Sequence, residues 1–366
     1  MAIKYILYIR QSSLRNNMTM EYRLLAVANK GNGYGVNIGD YIQALASSQF
    51  LPTVDGFIDR DDELKDFEGN ECKVIMNGWY MHNPQQWPPS SRINPLFVAF
   101  HLNVLASEAI LSETGIEYLK KHQPIGCRDR ATVKVLQAAG IQAYFSGCMT
   151  LTLGRKYATP ACSGKIYLVD PPFELKLTPK RIIESIITAI KHPIDVVKLG
   201  RKQNLNIHAG KNPLLKLVKT PLFYKEYSRI FGKDTILNAV CINQDNDYYK
   251  RSLETDYERI AKAESIIRDY SQASLVITSR IHCALPCLGL GTPVIYVERA
   301  QDTEASKCRM DGLAELFNIV TLDDGRLTPA FETVLPITPT SCPPNKKQWK
   351  VLADQLSERC ISFVNA

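Results

Sequence analysis

Residues 275 to 297 read LVITSRIHCALPCLGLGTPVIYV. The β-prone run Leu275-Val276-Ile277 breaks off in a polar knot, Thr278-Ser279-Arg280-Ile281-His282. A short apolar segment then leads through Gly289, Gly291 and Pro293 to a second β-prone run, Val294 to Val297. Strand, short helix and strand in this order spell a βαβ unit of a parallel sheet, because parallel neighbours need a crossover. Proline is tolerated in a helix's first turn and breaks its interior, so Pro286 places the helix start between Arg280 and Cys283. Free N–H groups in that first turn, with the helix dipole, favour an anion. Open parallel sheets bind ligands at the carboxyl ends of their strands, where Ser279, Arg280, His282 and Cys283 stand. Arg280 brings a planar fork suited to phosphate or carboxylate. His282 brings an imidazole that titrates near neutrality. The competing reading is a buried Arg–acid pair beside a satisfied core histidine; the strand–helix junction favours function.

Working outward, Tyr22 to Asn29 reads as a buried strand. Gly31, Gly33 and Gly35 follow at alternating positions that match neither a dinucleotide fingerprint nor a P-loop. Asn37-Ile38-Gly39-Asp40 leads into a helix from Tyr41 to Phe50, and Asp40 either caps that helix or faces a cleft as a base. A strand from Cys72 to Met76 precedes a loop, 81 to 95, whose Trp87 either stacks on a sugar or packs. Leu96 to Phe100 reads as a strand with His101 at its carboxyl end. Arg128-Asp129 opens a helix that Gly140 closes. Asp129 is a candidate cap, and Arg128 either contacts a ligand or pairs with a carboxylate that fixes the loop. Thr178-Pro179 starts a helix whose Ile182, Ile183, Ile186, Ile187 and Ile190 form an apolar face wide enough for a core helix. Asp234 to Ile242 reads as a strand. Thr255 and Glu258 form a capping box, and Glu298 stands at another strand end. Lys346 to Val364 is a last amphipathic helix.

A chain of 366 residues divides naturally into two domains. Apolar and charged fractions of 45% and 22% are those of a soluble globular protein. The opening MAIKYILYIRQ is too short and too soon charged for a signal peptide, and residues 275–297 carry Arg280 and His282 and fail as a membrane span. The expected location is cytoplasmic. The ten cysteines are scattered and read as free thiols. Cys283 and Cys287 lack a second pair, so zinc is not expected. A net charge of +7 suits an anionic substrate, an anionic membrane or nucleic acid. The excess is local: eight Lys/Arg against Glu226 lie between Arg201 and Lys233, interleaved with Phe223, Tyr224, Tyr227 and Phe231. The stretch is either a solvated basic face or a patch that docks on anionic lipid. No nucleic-acid motif accompanies it.

Several of these segments resemble those of polysaccharide pyruvyltransferases. TSRIHCALPCLGLGTPVIYV is similar to the family's C-terminal signature, and NIGDYIQALA (37 to 46) to its Asn-x-Gly-Asp segment. PIGCRDRATVKVLQAAGI (124 to 141) is similar to its Arg-Asp-x-x-Ser/Thr helix start, and 307–313, with Arg309, also looks family-like. An acid that many members carry near Cys148 is missing. Two successive αβ series fit two Rossmann-like halves facing a cleft. The resemblance implies an α/β fold similar to the glycosyltransferase B type, with an acceptor-side domain at 1–156 and a donor-side domain at 164–366, the last helix crossing back onto the first. It implies a phosphoenolpyruvate-dependent transferase of capsule or exopolysaccharide biosynthesis. Such an enzyme makes a pyruvate ketal on a sugar of a polysaccharide or its lipid-linked precursor without metal or other cofactor. His282 is then the acid and Asp40 the base. Arg280, Ser279, Cys283, Arg128, Asn37, His101 and Glu298 are the substrate-binding candidates, with Glu298 orienting Arg280 or His282. The implied partners are phosphoenolpyruvate and the glycan acceptor, with peripheral membrane contact through 201–233 at the inner face and no nucleic acid. A B-type glycosyltransferase using a nucleotide sugar, and a non-catalytic assembly protein, are the alternatives.

Overall fold

The computed structural model describes residues 20–27, 36–205, 207, 212–246, 249 and 252–366. Gly31, Gly33 and Gly35 lie outside the described residues, as do 1–19. In chain order the strands are β1 Glu21–Ala26, β2 Val36–Asn37, β3 Gly56–Asp59, β4 Cys72–Ile75, β5 Gly78–Tyr80, β6 Ile93–Leu96, β7 Phe100–Leu102, β8 Ile125–Cys127 and β9 Ala143–Phe145. They continue with β10 Ile166–Val169, β11 Val240–Ile242, β12 Asp245–Asn246, β13 Leu275–Thr278, β14 Val294–Arg299, β15 Ile319–Asp323 and β16 Arg326–Pro329.

The fold is mixed α/β with several parallel sheets. Strands of the first half divide between two parallel four-stranded sheets, ordered β3-β1-β4-β6 and β5-β7-β8-β9. The second half forms a six-stranded sheet, β11-β10-β13-β14-β15-β16, parallel except for β16. Every residue of β13 is buried, as expected of a parallel strand covered on both faces. The helix Ile281–Leu290 joins it to its parallel neighbour β14, so the βαβ reading holds. A short antiparallel pair, β2 with β12, ties Asn37 to Asp245 and binds the two halves together.

The largest apolar cluster is shared by both halves. Ile38, Tyr41 and Leu45 of the helix Ile38–Ser48 pack with Ile266 and Tyr270 of the helix Asp256–Ser271 and with Leu285 and Leu288. A Cβ on Gly289 would stand 2.4 Å from the Leu151 carbonyl oxygen. Only glycine therefore lets the turn Met149–Leu153 lie directly on the helix Ile281–Leu290. The final helix, Trp349–Asn365, packs against the first half: Lys73 Nζ donates to the Phe363 carbonyl at 3.0 Å, and Cys360 is buried against Met149.

Several local expectations held. Thr178 caps the helix Pro179–Lys191 with Pro179 at its first position, and Thr255 and Glu258 form a complete capping box. Others are corrected. Trp87 is buried among Tyr80, Phe97, Phe100 and Tyr118 and presents no stacking face. Residues 96–100 are not one strand. Ala99 has φ +52, a conformation that interrupts extended backbone, so β6 ends at Leu96 and His101 lies inside β7 rather than past a strand end. Residues 234–242 divide into a helix, Lys233–Asn238, and β11. The aromatic residues of 201–233 are core: Phe223, Tyr227 and Phe231 in the helix Pro213–Phe231 are fully buried.

The isoleucine helix Pro179–Lys191 reverses its expected polarity. Ile183 and Ile190 are 59% and 73% exposed, while Ser185 and Thr188 are buried. Ser185 Oγ donates to the Val218 carbonyl at 2.8 Å, seating the helix on its neighbour Pro213–Phe231 by its small polar side. Among the described residues no helix is long and apolar enough to cross a membrane.

Candidate functional site

The polar groups expected at the end of β13 surround a cavity of about 200 Å³, walled among others by Asn37, Asp170, Arg280, His282, Tyr296 and Arg309. Asp170, at the end of β10, is its anchor. The Asp170 carboxylate accepts from Arg280 Nε at 2.8 Å and from the Gln244 N–H at 3.0 Å. Its carbonyl accepts from Ser279 Oγ at 2.6 Å. Ser279 thus fixes the loop, and Arg280 is held by its Nε.

Pro286 explains the placing of His282. A proline has no N–H for the carbonyl four residues back, and that carbonyl belongs to His282. The helix kinks there, with His282 at φ −82 and ψ 16, and Gln244 Nε2 donates to the released carbonyl at 3.4 Å. The imidazole is buried, and its Nε2 has no hydrogen-bond partner among the described residues. Burial first, then the guanidinium groups of Arg128, Arg309 and Arg280, push its pKa well below the usual histidine range. His282 is therefore neutral. Gly39 makes room for it: a Cβ there would lie 3.0 Å from both Cβ and Nδ1 of His282.

Arg128 has no exposed surface, and none of its three guanidinium nitrogens has a hydrogen-bond partner among the described residues. Its backbone N–H is fixed to the Phe100 carbonyl at 2.8 Å. Burial, then the charge of Arg309, lowers its pKa to about 10. The neighbouring carboxylate is spent elsewhere. Asp129 caps the helix Arg130–Ala138 through the Thr132 N–H at 2.8 Å and holds His101 Nδ1 at 2.5 Å. A loop-fixing pair between Arg128 and a carboxylate is thus not what the fold builds. Burial and then the Arg128 charge lower the pKa of His101 to about 4, against the pull of Asp129.

Asp40, in the first turn of the helix Ile38–Ser48, is half-buried and, like Arg128 and His101, is not among the residues lining the cavity. Asn37 is the cap, accepting the Gly39 N–H at 3.0 Å, so the capping reading of Asp40 is corrected. Burial raises the pKa of Asp40, with Arg60, Arg309 and Arg128 pulling the other way. Asp40 and His282 therefore feel the same two arginines, 128 and 309. A buried pair, Arg60 with Asp61 at 2.6 Å, stands beside Asp40.

Two expected contacts are placed elsewhere. The Cys283 N–H donates to the Arg280 carbonyl at 3.1 Å and its side chain is buried, so that donor is not open to an anion. Glu298 accepts from Thr321 Oγ1, its register partner on β15, at 3.1 Å and is bonded to neither Arg280 nor His282. Sequence reasoning assigned no role to Asp170, Gln244, Arg60 or Arg309. Arg309 had the one usable signal, its family-like segment. Among the described residues no cluster of His, Cys, Asp or Glu could hold a metal.

Comparison with known proteins yields one match. The family described as polysaccharide pyruvyl transferase matches residues 37–301, a span that contains Asn37, Asp40, His101, Arg128, Arg280 and His282 and stops short of Arg309. No curated protein and no solved structure matches the chain.

Proposed function

The chain belongs to the polysaccharide pyruvyl transferase family, and from that premise we propose that it moves the pyruvyl group of phosphoenolpyruvate onto a sugar of a polysaccharide or its lipid-linked precursor, closing a pyruvate ketal. The observation that carries this reading is the buried Arg128 guanidinium without a partner. A buried cation is costly unless paired, and a carboxylate–phosphate ligand supplies the missing charge. Arg280 and Arg309 on the cavity wall supply further positive charge. Two Rossmann-like halves, 1–156 and 164–366, facing a cleft as in B-type glycosyltransferases, fit this use. Arg128 and His101 then join a donor site otherwise built by the second half.

The chemistry needs an acid and a base. Anion binding offsets the guanidinium charges that hold His282 neutral, so the imidazole takes up a proton as the donor binds. Protonated His282 delivers that proton to the enol methylene, and a sugar hydroxyl adds to the resulting cationic carbon. Asp40 accepts the hydroxyl proton. Phosphate leaves, a second hydroxyl of the same sugar closes the ketal, and its proton departs with the phosphate. Arginine charges stabilise the developing anion, and no other cofactor enters.

The test is incubation with phosphoenolpyruvate and a panel of free and lipid-linked galactosides and mannosides. Phosphate release matched by a gain of one pyruvyl group per acceptor is the expected outcome. Nucleotide release from a sugar nucleotide, with phosphoenolpyruvate untouched, overturns the reading in favour of a glycosyltransferase.

A further inference from the structure

The helix Pro179–Lys191 is amphipathic, yet its apolar face is outward. Ile182, Ile183, Ile186, Ile187 and Ile190 recur at the helical period and share one side, and all are at least 40% exposed. The pattern continues on the two helices packed with it, Pro193–Gly200 and Pro213–Phe231, where Ile194, Leu214 and Leu217 are 70–80% exposed. Monomeric soluble proteins rarely leave so much large aliphatic surface uncovered.

Charge says what covers it. Residues 179–231 contain eleven Lys/Arg and three acids. Each acid is already in an ion pair: Glu184 with Lys225, Asp195 with Lys233 and Glu226 with Arg229. Lys211 lies outside the described residues and Lys219 is buried; the other nine cations are exposed or half-exposed, so the surface is aliphatic and strongly cationic. A second copy placed symmetrically on it brings like charges together. Thirteen helical residues reach about 20 Å, well short of a bilayer's hydrocarbon core. An exposed aliphatic ridge with cations around it is the pattern of a helix that lies in a membrane interface.

We propose that the helix Pro179–Lys191, with Lys191 at its end and Lys198 and Lys216 on the two helices packed with it, docks the protein on an anionic lipid surface. The aromatic residues of 201–233 take no part, since they are core. This inference rests on the surface alone and does not depend on the transfer chemistry.

Co-sedimentation of the full chain with phosphatidylcholine vesicles, with and without about 30% phosphatidylglycerol, tests it. The wild type is expected to partition about tenfold more onto the anionic vesicles and to be released by salt. Ile183→Glu/Ile190→Glu lowers that partitioning about tenfold or more with an unchanged melting temperature. Ile183→Ser/Ile190→Ser serves as the milder pair should glutamates disturb the fold. Lys191→Glu/Lys198→Glu removes the preference for anionic lipid. Wild type that ignores anionic vesicles, or folded isoleucine variants that bind as the wild type does, overturn the proposal. So does a dimer dispersed by Ile190→Glu without vesicles, which assigns the face to a second copy.

Discussion

Two buried arginines show how the same residue, equally hidden from water, is put to different uses. Arg60 is 3% exposed and paired with Asp61 at 2.6 Å. Asp61 in turn accepts the backbone N–H groups of His82 at 2.6 Å and Asn83 at 3.3 Å. Burial opposes the ionised form of Asp61, yet the Arg60 charge and these bonds hold its pKa below the usual carboxylate range. Arg60 is thus charge-paired and fixes a loop, although its Nε has no hydrogen-bond partner among the described residues. Arg128 is fully buried and has no partner among the described residues for any side-chain nitrogen, with Arg309, a second cation, close enough to lower its pKa. On the proposed reading Arg128 is a receptor: the fold holds the charge in place, and the donor anion supplies its hydrogen-bonding counter-ion.

Substituting each arginine by an uncharged side chain of similar length separates the two uses. Arg128→Met is expected to lower kcat/KM by roughly 10³-fold, because a buried charge contact with a bound anion is worth several kcal/mol. Its melting temperature stays level or rises, since a buried charge without a hydrogen-bond partner among the described residues is removed. Arg60→Met shows the opposite balance. It strands Asp61 in the interior and costs about 3–5 kcal/mol of stability in denaturant titration. A destabilised Arg128→Met protein, or an Arg60→Met protein as stable as the wild type, breaks the contrast.

The next effect is on acid stability. His101 has a pKa near 4 in the fold against about 6.5 for a free imidazole, and His282 lies in the same direction. The unfolded chain therefore binds more protons than the native one between those values. The associated stability is complete above pH 6.5 and is lost as pH falls toward 4, on the order of 3 kcal/mol for His101. Asp40, with its raised pKa, acts in the opposite sense. Melting temperatures measured from pH 7.5 to 4.5 check the sign, and added phosphate is expected to reduce the loss. A flat profile contradicts the placement of both histidines.

The smallest expected change comes from Gly39→Ala. The new methyl meets His282 and Asn37 Oδ1 at 3.0 Å, so a shift of a few tenths of an ångström is forced on the imidazole. About 1 kcal/mol of stability and roughly tenfold in kcat are expected to go, with KM for the donor nearly unchanged. Circular dichroism melts and steady-state kinetics read the two effects separately.

The contrast also shows what could be read from residues alone. The unit β13–helix–β14 was legible because Pro286, the glycines and the apolar run Leu275-Val276-Ile277 each restrict the backbone in the same direction. Asp129 and Thr255 were legible as caps for the same reason: their roles are local. Burial was not legible. The isoleucines of Pro179–Lys191 repeat at a helical period, but a period reports sidedness and not whether a neighbour covers that side. Residues 96–102 carry no Gly or internal Pro to mark the break at Ala99, so His101 was placed one element too early. Whether Arg128 met a carboxylate or stood alone depended on Asp129 being taken by Thr132 and His101, a competition set by tertiary packing. Arg309 gathers with Arg128 and His282 across the fold from a segment beyond the matched family span.

Isothermal titration of phosphoenolpyruvate into wild-type protein and into Arg128→Met, at matched fold by circular dichroism, tests the central claim most directly. The wild type is expected to bind with uptake of a proton by His282, seen as a buffer-dependent heat, and Arg128→Met to bind too weakly to measure. A folded Arg128→Met protein that binds phosphoenolpyruvate as tightly as the wild type contradicts the assignment of that guanidinium to the donor anion.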